Sequence, residues 1–277
     1  MTKRNSSAIV DTSGQGVSRK YPSSDVKYLY GAAAGRCAFA NCRKFVLLPG
    51  SSGEKVKQIG KIAHIVAHSV AGPRGDPNYP ADKLDTYENW VLLCPSCHDI
   101  VDAQPEKYSI EFLRTLKKDH EMWVDKALST AMTKVTFSEL AVAIKGIQAQ
   151  GTSSDNSLMI VVPEEKIQIN HLSTQVRNRL VLGLMQAPLV QSFFIAMEKA
   201  DATFERRVVN GFQKEYLRLR DAGETPDEIF DDLHRFSSMN SPEFEVQAAG
   251  LALLAHLFEK CDVFERTEEE KRHVIAN

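Results

Sequence analysis

The spacing of apolar residues divides this chain into two kinds of sequence. In the first 100 residues the apolar runs are short and rich in β-branched side chains. Lys44–Leu48, Ile59–Val66 and Glu88–Leu93 each suit a strand. Between the second and third lies Ala71-Gly-Pro-Arg-Gly-Asp-Pro-Asn-Tyr-Pro80, too dense in breakers for anything but an excursion loop. Ser24-Asp25 offers a cap for a short helix through Ala34. From His98 the period changes to that of a helix, and Ile110, Leu113 and Leu116 carry it toward Trp123. The order strand, loop, strand, helix predicts a compact ββα unit.

Ala127–Gln150 reads as helix, Gly151–Ser157 as a polar linker and Leu158–Val162 as a short apolar run. From His171 the pattern is helical almost to the end, interrupted at Gly223-Glu-Thr-Pro-Asp and at Asn240-Ser-Pro. Residues 204–220 and 248–264 are strongly apolar on one face. The fold class expected is therefore α+β, a small ββα domain followed by a mostly α-helical one. Residues 1–22 form a flexible Ser/Gly/Thr-rich lead-in, 23–130 the first domain, 131–157 a helix and linker, and 158–277 the helical domain.

Composition narrows the setting. With 43% apolar and 25% charged residues, 277 positions are enough for one large or two ordinary packed cores. Leu180–Met197 has no charge but contains Gln186, Pro188 and Gln191, so a buried helical hairpin broken at Pro188 is expected there, not a membrane span. Five cysteines, Cys261 being the odd one, and no apolar leader point to a reducing, cytoplasmic setting and to metal ligation instead of disulfides. The net charge of −2 conceals a mildly basic N-terminal half and an acidic C-terminal half. Any phosphate contact belongs to the first.

The candidate chemistry lies there too. Cys37-x4-Cys42 and Cys94-x2-Cys97 have the spacing of a tetrahedral structural zinc site, each pair held by a short turn. Between the pairs stand His64 and His68, and His98 directly follows the last cysteine. With Gly60-Lys-Ile-Ala-His64-Ile-Val-Ala and Asn89-Trp-Val-Leu-Leu-Cys94-Pro-Ser-Cys97-His98, the chain resembles the HNH endonuclease family in its zinc-knuckle, ββα-metal form. That resemblance implies hydrolysis of DNA phosphodiesters. His64 becomes the general base that takes a proton from the attacking water, and Asn89 the residue that pins the loop holding it. His98 becomes a ligand to a catalytic Mg²⁺ or Mn²⁺, separate from the Zn²⁺ on the cysteines.

Relatives often place an aspartate before the first histidine as a metal ligand, whereas this chain has Ala63. Asp102, one helical turn after His98, is the substitute expected here. His68 suits a phosphate or structural contact. Arg74 suits either a DNA phosphate contact or an ordinary exposed position. Trp90 and Tyr108 read as core.

The helical second half looks similar to the C-terminal domain of effector subunits in ABC-three-component (Lamassu-type) bacterial defence systems. This implies a docking domain for an SMC-like, ABC-type ATPase and a third subunit. The alternative for this half is a plain bundle that makes a homo-oligomer. The alternative for the whole chain is a non-catalytic, zinc-dependent nucleic-acid-binding or scaffold subunit with a vestigial metal site.

Overall fold

The computed structural model describes residues 21–48, 57–148, 163–260 and 264. The lead-in up to residue 20, the Pro-Gly turn after Leu48, the linker and apolar run of 151–162, and Cys261 lie outside the described residues. Two compact units divide the chain, one drawn from residues 1–46 and 58–120, the other from 47–57 and 121–277.

The described residues are mostly helical, with two small two-stranded sheets. In chain order the elements are α1 (Ser23–Ala32), β1 (Leu47–Leu48), β2 (Lys57–Gln58), β3 (Lys61–His64), β4 (Trp90–Leu93), α2 (Pro95–Ala103), α3 (Ile110–Met132), α4 (Phe137–Gln148), α5 (Pro163–Ile169), α6 (Thr174–Leu184), α7 (Ala187–Glu198), α8 (Phe204–Asp221), α9 (Pro226–Ser237) and α10 (Phe244–Lys260). This is an α+β chain, as the apolar pattern suggested.

In the first unit β3 and β4 pair antiparallel, with Lys61 opposite Leu93 and His64 opposite Trp90. All four residues of β4 are buried, because α1 packs on this pair and α2 returns onto it. Two short 3₁₀ turns, Ala81–Lys83 and Tyr87–Asn89, carry the chain back from the excursion loop. The strands are shorter than Ile59–Val66 and Glu88–Leu93 suggested: the Ile59 N–H donates to the Val46 carbonyl, outside the β3–β4 ladder, and Val66 is held by the Asn89 side chain.

Gly60 lies where backbone and side chains meet closely. A Cβ there would stand 2.7 Å from Tyr30 Oη and 2.8 Å from Leu92. Asp25 does not cap α1. Pro22 precedes that helix, with no side-chain cap hydrogen bond, and Asp25 Oδ2 instead accepts the Tyr87 backbone N–H at 2.8 Å. A tertiary partner has taken the carboxylate that the local pattern assigned to a cap.

The second unit is a helical assembly around α10, in which every residue from Gln247 to Phe258 is buried. Gly183 on α6 allows the close crossing, since a Cβ there would sit 2.6 Å from Ala255 Cβ. The expected single helix over Ala127–Gln150 is two. α3 ends at Met132 and α4 starts at Phe137, because Thr136 and Glu139 begin a new helix: the Thr136 N–H donates to Glu139 Oε2 at 2.8 Å. Thr225 and Glu228 form a full capping box on α9, just after the expected Gly223 turn.

Leu180–Met197 is a bent pair, α6 and α7, turning by 56°. The break falls at Met185–Gln186, with Pro188 inside the first turn of α7, where its missing N–H costs nothing. Among the described residues no single helix is long and apolar enough to cross a membrane. The bent pair meets a span's length and composition, but its Leu180, Val190, Phe193 and Phe194 are buried in the unit's own core.

Candidate functional site: four thiols and a histidine–carboxylate array

Two turns bring the cysteines together. In the first, the Cys37 N–H donates to the Lys44 carbonyl and the Cys42 N–H to the Phe39 carbonyl, both at 2.9 Å. In the second, Cys94 is the residue before α2, Pro95 opens the helix, and Cys97 lies in its first turn. The Ala38 N–H donates to the Leu92 carbonyl at 2.9 Å and joins the first turn to the end of β4.

The four sulfur atoms lie within 4.8 Å of one another, and Cys42 Sγ is 3.8 Å from Cys94 Sγ. Zn–S bonds of about 2.3 Å in a tetrahedron put ligand sulfurs about 3.8 Å apart, so the donor set fits such an ion. All four thiols are free of disulfides. Among the described residues this is the one cluster of three or more candidate ligands close enough to share a metal.

The electrostatics of the cluster agree with that fit. Burial pushes Cys37 up to about 11 and also raises Cys97. Burial opposes ionisation of Cys94 as well, yet hydrogen bonds from the Cys97 backbone and the neighbouring thiols hold it below its ordinary value. Four thiols in so small a volume cannot all ionise without a cation. A metal ion such as zinc would supply that charge and displace the protons.

Behind the first turn, Arg43 adopts a positive φ of 47° and donates to the Ala38 carbonyl at 2.8 Å. It also meets His120, which is buried and whose pKa falls to about 4 through burial and then the Arg43 charge. A neutral His120 accepts from a guanidinium, which suits its position under the turn.

His64 ends β3, and Asn89 immediately precedes β4. The buried Asn89 side chain uses all its amide hydrogens: Nδ2 donates to the Val66 and Leu84 carbonyls, each at 2.9 Å, while Oδ1 accepts the Val66 N–H at 2.9 Å. The Ile65 N–H donates to the Asn89 backbone carbonyl at 2.8 Å. The segment following His64 is thereby tied to one residue.

His64 Nε2 stands 3.0 Å from Asp85 Oδ1, and His68 Nε2 stands 3.5 Å from Asp85 Oδ2. His68 thus meets a carboxylate within its own unit. Asp85 is a site residue that the sequence pattern did not single out.

His98 and Asp102 share a face of α2. His98 Nδ1 is 3.5 Å from Asp102 Oδ2, while the other carboxylate oxygen of Asp102 receives Arg74 Nη2 at 2.8 Å. Arg74 also donates to the Val101 carbonyl at 3.1 Å, and its side chain is 5% exposed. It is therefore not an ordinary exposed residue, because two acceptors on α2 hold its guanidinium. The structure therefore gathers the predicted residues into three groups: the thiols; His64 with His68 and Asn89; and His98 with Asp102 and Arg74. β3 and α2, which bear His64 and His98, pack against each other. Trp90 and Tyr108 are core residues, as expected.

Residues 138–265 match the family model for C-terminal domain 10 of the ABC-three component (ABC-3C) systems. No curated protein matches the chain.

Proposed function

We propose that this chain is the nuclease subunit of an ABC-three-component anti-phage defence complex. In this reading the first unit is a zinc-stapled ββα-metal fold that hydrolyses DNA phosphodiesters. The second is the domain through which it assembles with an ABC-type, SMC-like ATPase and a third subunit. The match of residues 138–265 to an ABC-3C domain supports the assembly role. The observation that carries the nuclease role is Asn89, whose side chain locks the backbone after His64 to the loop before β4 in a unit built on a four-thiol cluster.

The residues have separate tasks. His64, as a neutral imidazole, takes a proton from the water that attacks phosphorus. Asn89 keeps that ring in place. His98 and Asp102, one helical turn apart, would hold a divalent cation. Two protein ligands suit a hard cation that keeps water and phosphate oxygens for its other positions. When bound, Mg²⁺ or Mn²⁺ supplies positive charge to the phosphate and the departing 3′ oxygen. Arg74 fixes the Asp102 carboxylate from the side away from His98. Zn²⁺ on Cys37, Cys42, Cys94 and Cys97 holds the frame.

One observation favours a second reading, a non-catalytic DNA-binding or scaffold subunit. Ala63 offers no ligand, and Asp102 is already paired with Arg74. Supercoiled plasmid incubated with the full chain and its partner subunits, in Mg²⁺ or Mn²⁺, separates the two. Divalent-ion-dependent nicking supports the nuclease. Plasmid that binds but stays supercoiled supports the scaffold.

A further inference from the structure

We propose that Asp85 is the positioning residue for His64, setting both the orientation of the imidazole and the nitrogen that acts as base. The inference rests on the nuclease reading for its consequence, but not for its geometry.

Asp85 lies 21 residues from His64 in sequence, yet its Oδ1 is 3.0 Å from His64 Nε2. Both side chains are well covered, at 9% exposure for His64 and 17% for Asp85. A carboxylate only accepts hydrogen bonds, so Nε2 must carry the ring proton. The lone pair of neutral His64 is then on Nδ1, and Nδ1 is the atom that takes a proton from water. When it does, the imidazolium meets a carboxylate already in place, the relation by which an aspartate orients and stabilises the histidine of hydrolytic triads.

The carboxylate is itself held. Its Oδ2 is 3.5 Å from His68 Nε2, so a second histidine meets the carboxylate oxygen that His64 does not. The backbone on both sides of Asp85 is tied to Asn89: the Leu84 carbonyl accepts from Asn89 Nδ2 at 2.9 Å, and the Thr86 carbonyl accepts the Asn89 N–H at 3.0 Å. The same Asn89 side chain grips Val66, two residues after His64. One buried amide therefore sets the distance between base and carboxylate. His68 enters this arrangement as the carboxylate's other partner, which accounts for a second histidine in the Ala-His-Ile-Val-Ala-His segment.

The test uses the full chain, wild type and Asp85→Asn, an isosteric change that retains volume. Long-range ¹⁵N–¹H spectra of the histidine rings report which His64 nitrogen is protonated. The wild type should show the Nε2–H form. Asp85→Asn, whose amide can donate to Nε2, should shift His64 toward Nδ1–H. Plasmid nicking by the same proteins should lose about 10²- to 10⁴-fold in kcat with KM changed less than about threefold, and Asp85→Glu should recover part of the loss. An unchanged His64 tautomer in Asp85→Asn overturns the proposal, as does undiminished kcat. Wild-type protein that does not nick overturns the nuclease reading instead, and the spectra still decide whether Asp85 governs His64.

Discussion

Asn89 and Val66 hold each other through a reciprocal pair: the Val66 N–H donates to Asn89 Oδ1, and Asn89 Nδ2 donates to the Val66 carbonyl, both at 2.9 Å. A third bond runs to the Leu84 carbonyl. Removing the side chain strands a buried N–H, the buried Val66 carbonyl and the half-buried Leu84 carbonyl, the buried groups each costing about 1–3 kcal/mol if left unpaired. Asn89→Ala should therefore lower the stability of the first unit by about 3 kcal/mol, read from the denaturant midpoint. Asn89→Asp, which loses both donors and buries a charge, should be no better.

The four-thiol cluster predicts one tightly held zinc per chain, measurable by elemental analysis of native protein. Cys37→Ser or Cys94→Ser should lower that stoichiometry and unfold the first unit, because binding free energy at such sites is folding free energy. A strong chelator should do the same to the wild type. The second unit, whose core contains none of these residues, should keep its helical signal.

His256 gives a pH dependence to the second unit. It is buried on α10 against Phe194, and neither ring nitrogen has a hydrogen-bond partner among the described residues. Burial, and then the Lys260 charge, push it down to about 4. The unfolded chain, with an ordinary value near 6.5, binds a proton that the folded one refuses. The stability is full above about pH 7, falls as pH drops through 6.5, and levels off near 4, a loss of about 3 kcal/mol from this group. His256→Leu should remove this share of the fall, leaving that of the buried His234 on α9, and add about 1–2 kcal/mol at neutral pH by removing two orphaned polar atoms. Chemical denaturation at pH 5 and pH 7.5 measures both effects.

Gly183 tests how closely α6 crosses α10. A Cβ there meets Ala255 Cβ at 2.6 Å and the Leu251 carbonyl oxygen at 2.7 Å, and backbone cannot turn aside as a side chain can. Gly183→Val should destabilise the second unit by roughly 2 kcal/mol or more, seen as a lower Tm with the zinc content unchanged.

What the sequence disclosed follows how local each interaction is. The cysteine pairs were readable because each is held by a turn of a few residues. The helices of the second unit were readable because a buried face repeats every three to four positions. Thr136-Phe-Ser-Glu139 carried a readable capping signal, but the helical character of Ala127–Gln150 on both sides of it hid it. Asp85 had no local mark at all: its contact with His64 exists only once the Ala71–Pro80 excursion has closed and Asn89 has tied the two ends. The partners of Arg74 were hidden for the same reason. The Gly-Pro-Arg-Gly text marks only an excursion loop, while the acceptors are supplied by α2, 27 and 28 residues later.

The most direct test of the central claim is the plasmid-nicking rate of His64→Ala set against wild type, both with zinc retained and with the same partner subunits and divalent ion. A base that takes the proton from attacking water is worth about 10²- to 10⁴-fold, so the variant should fall by that factor while binding plasmid as before. Equal nicking by the two proteins would contradict the account.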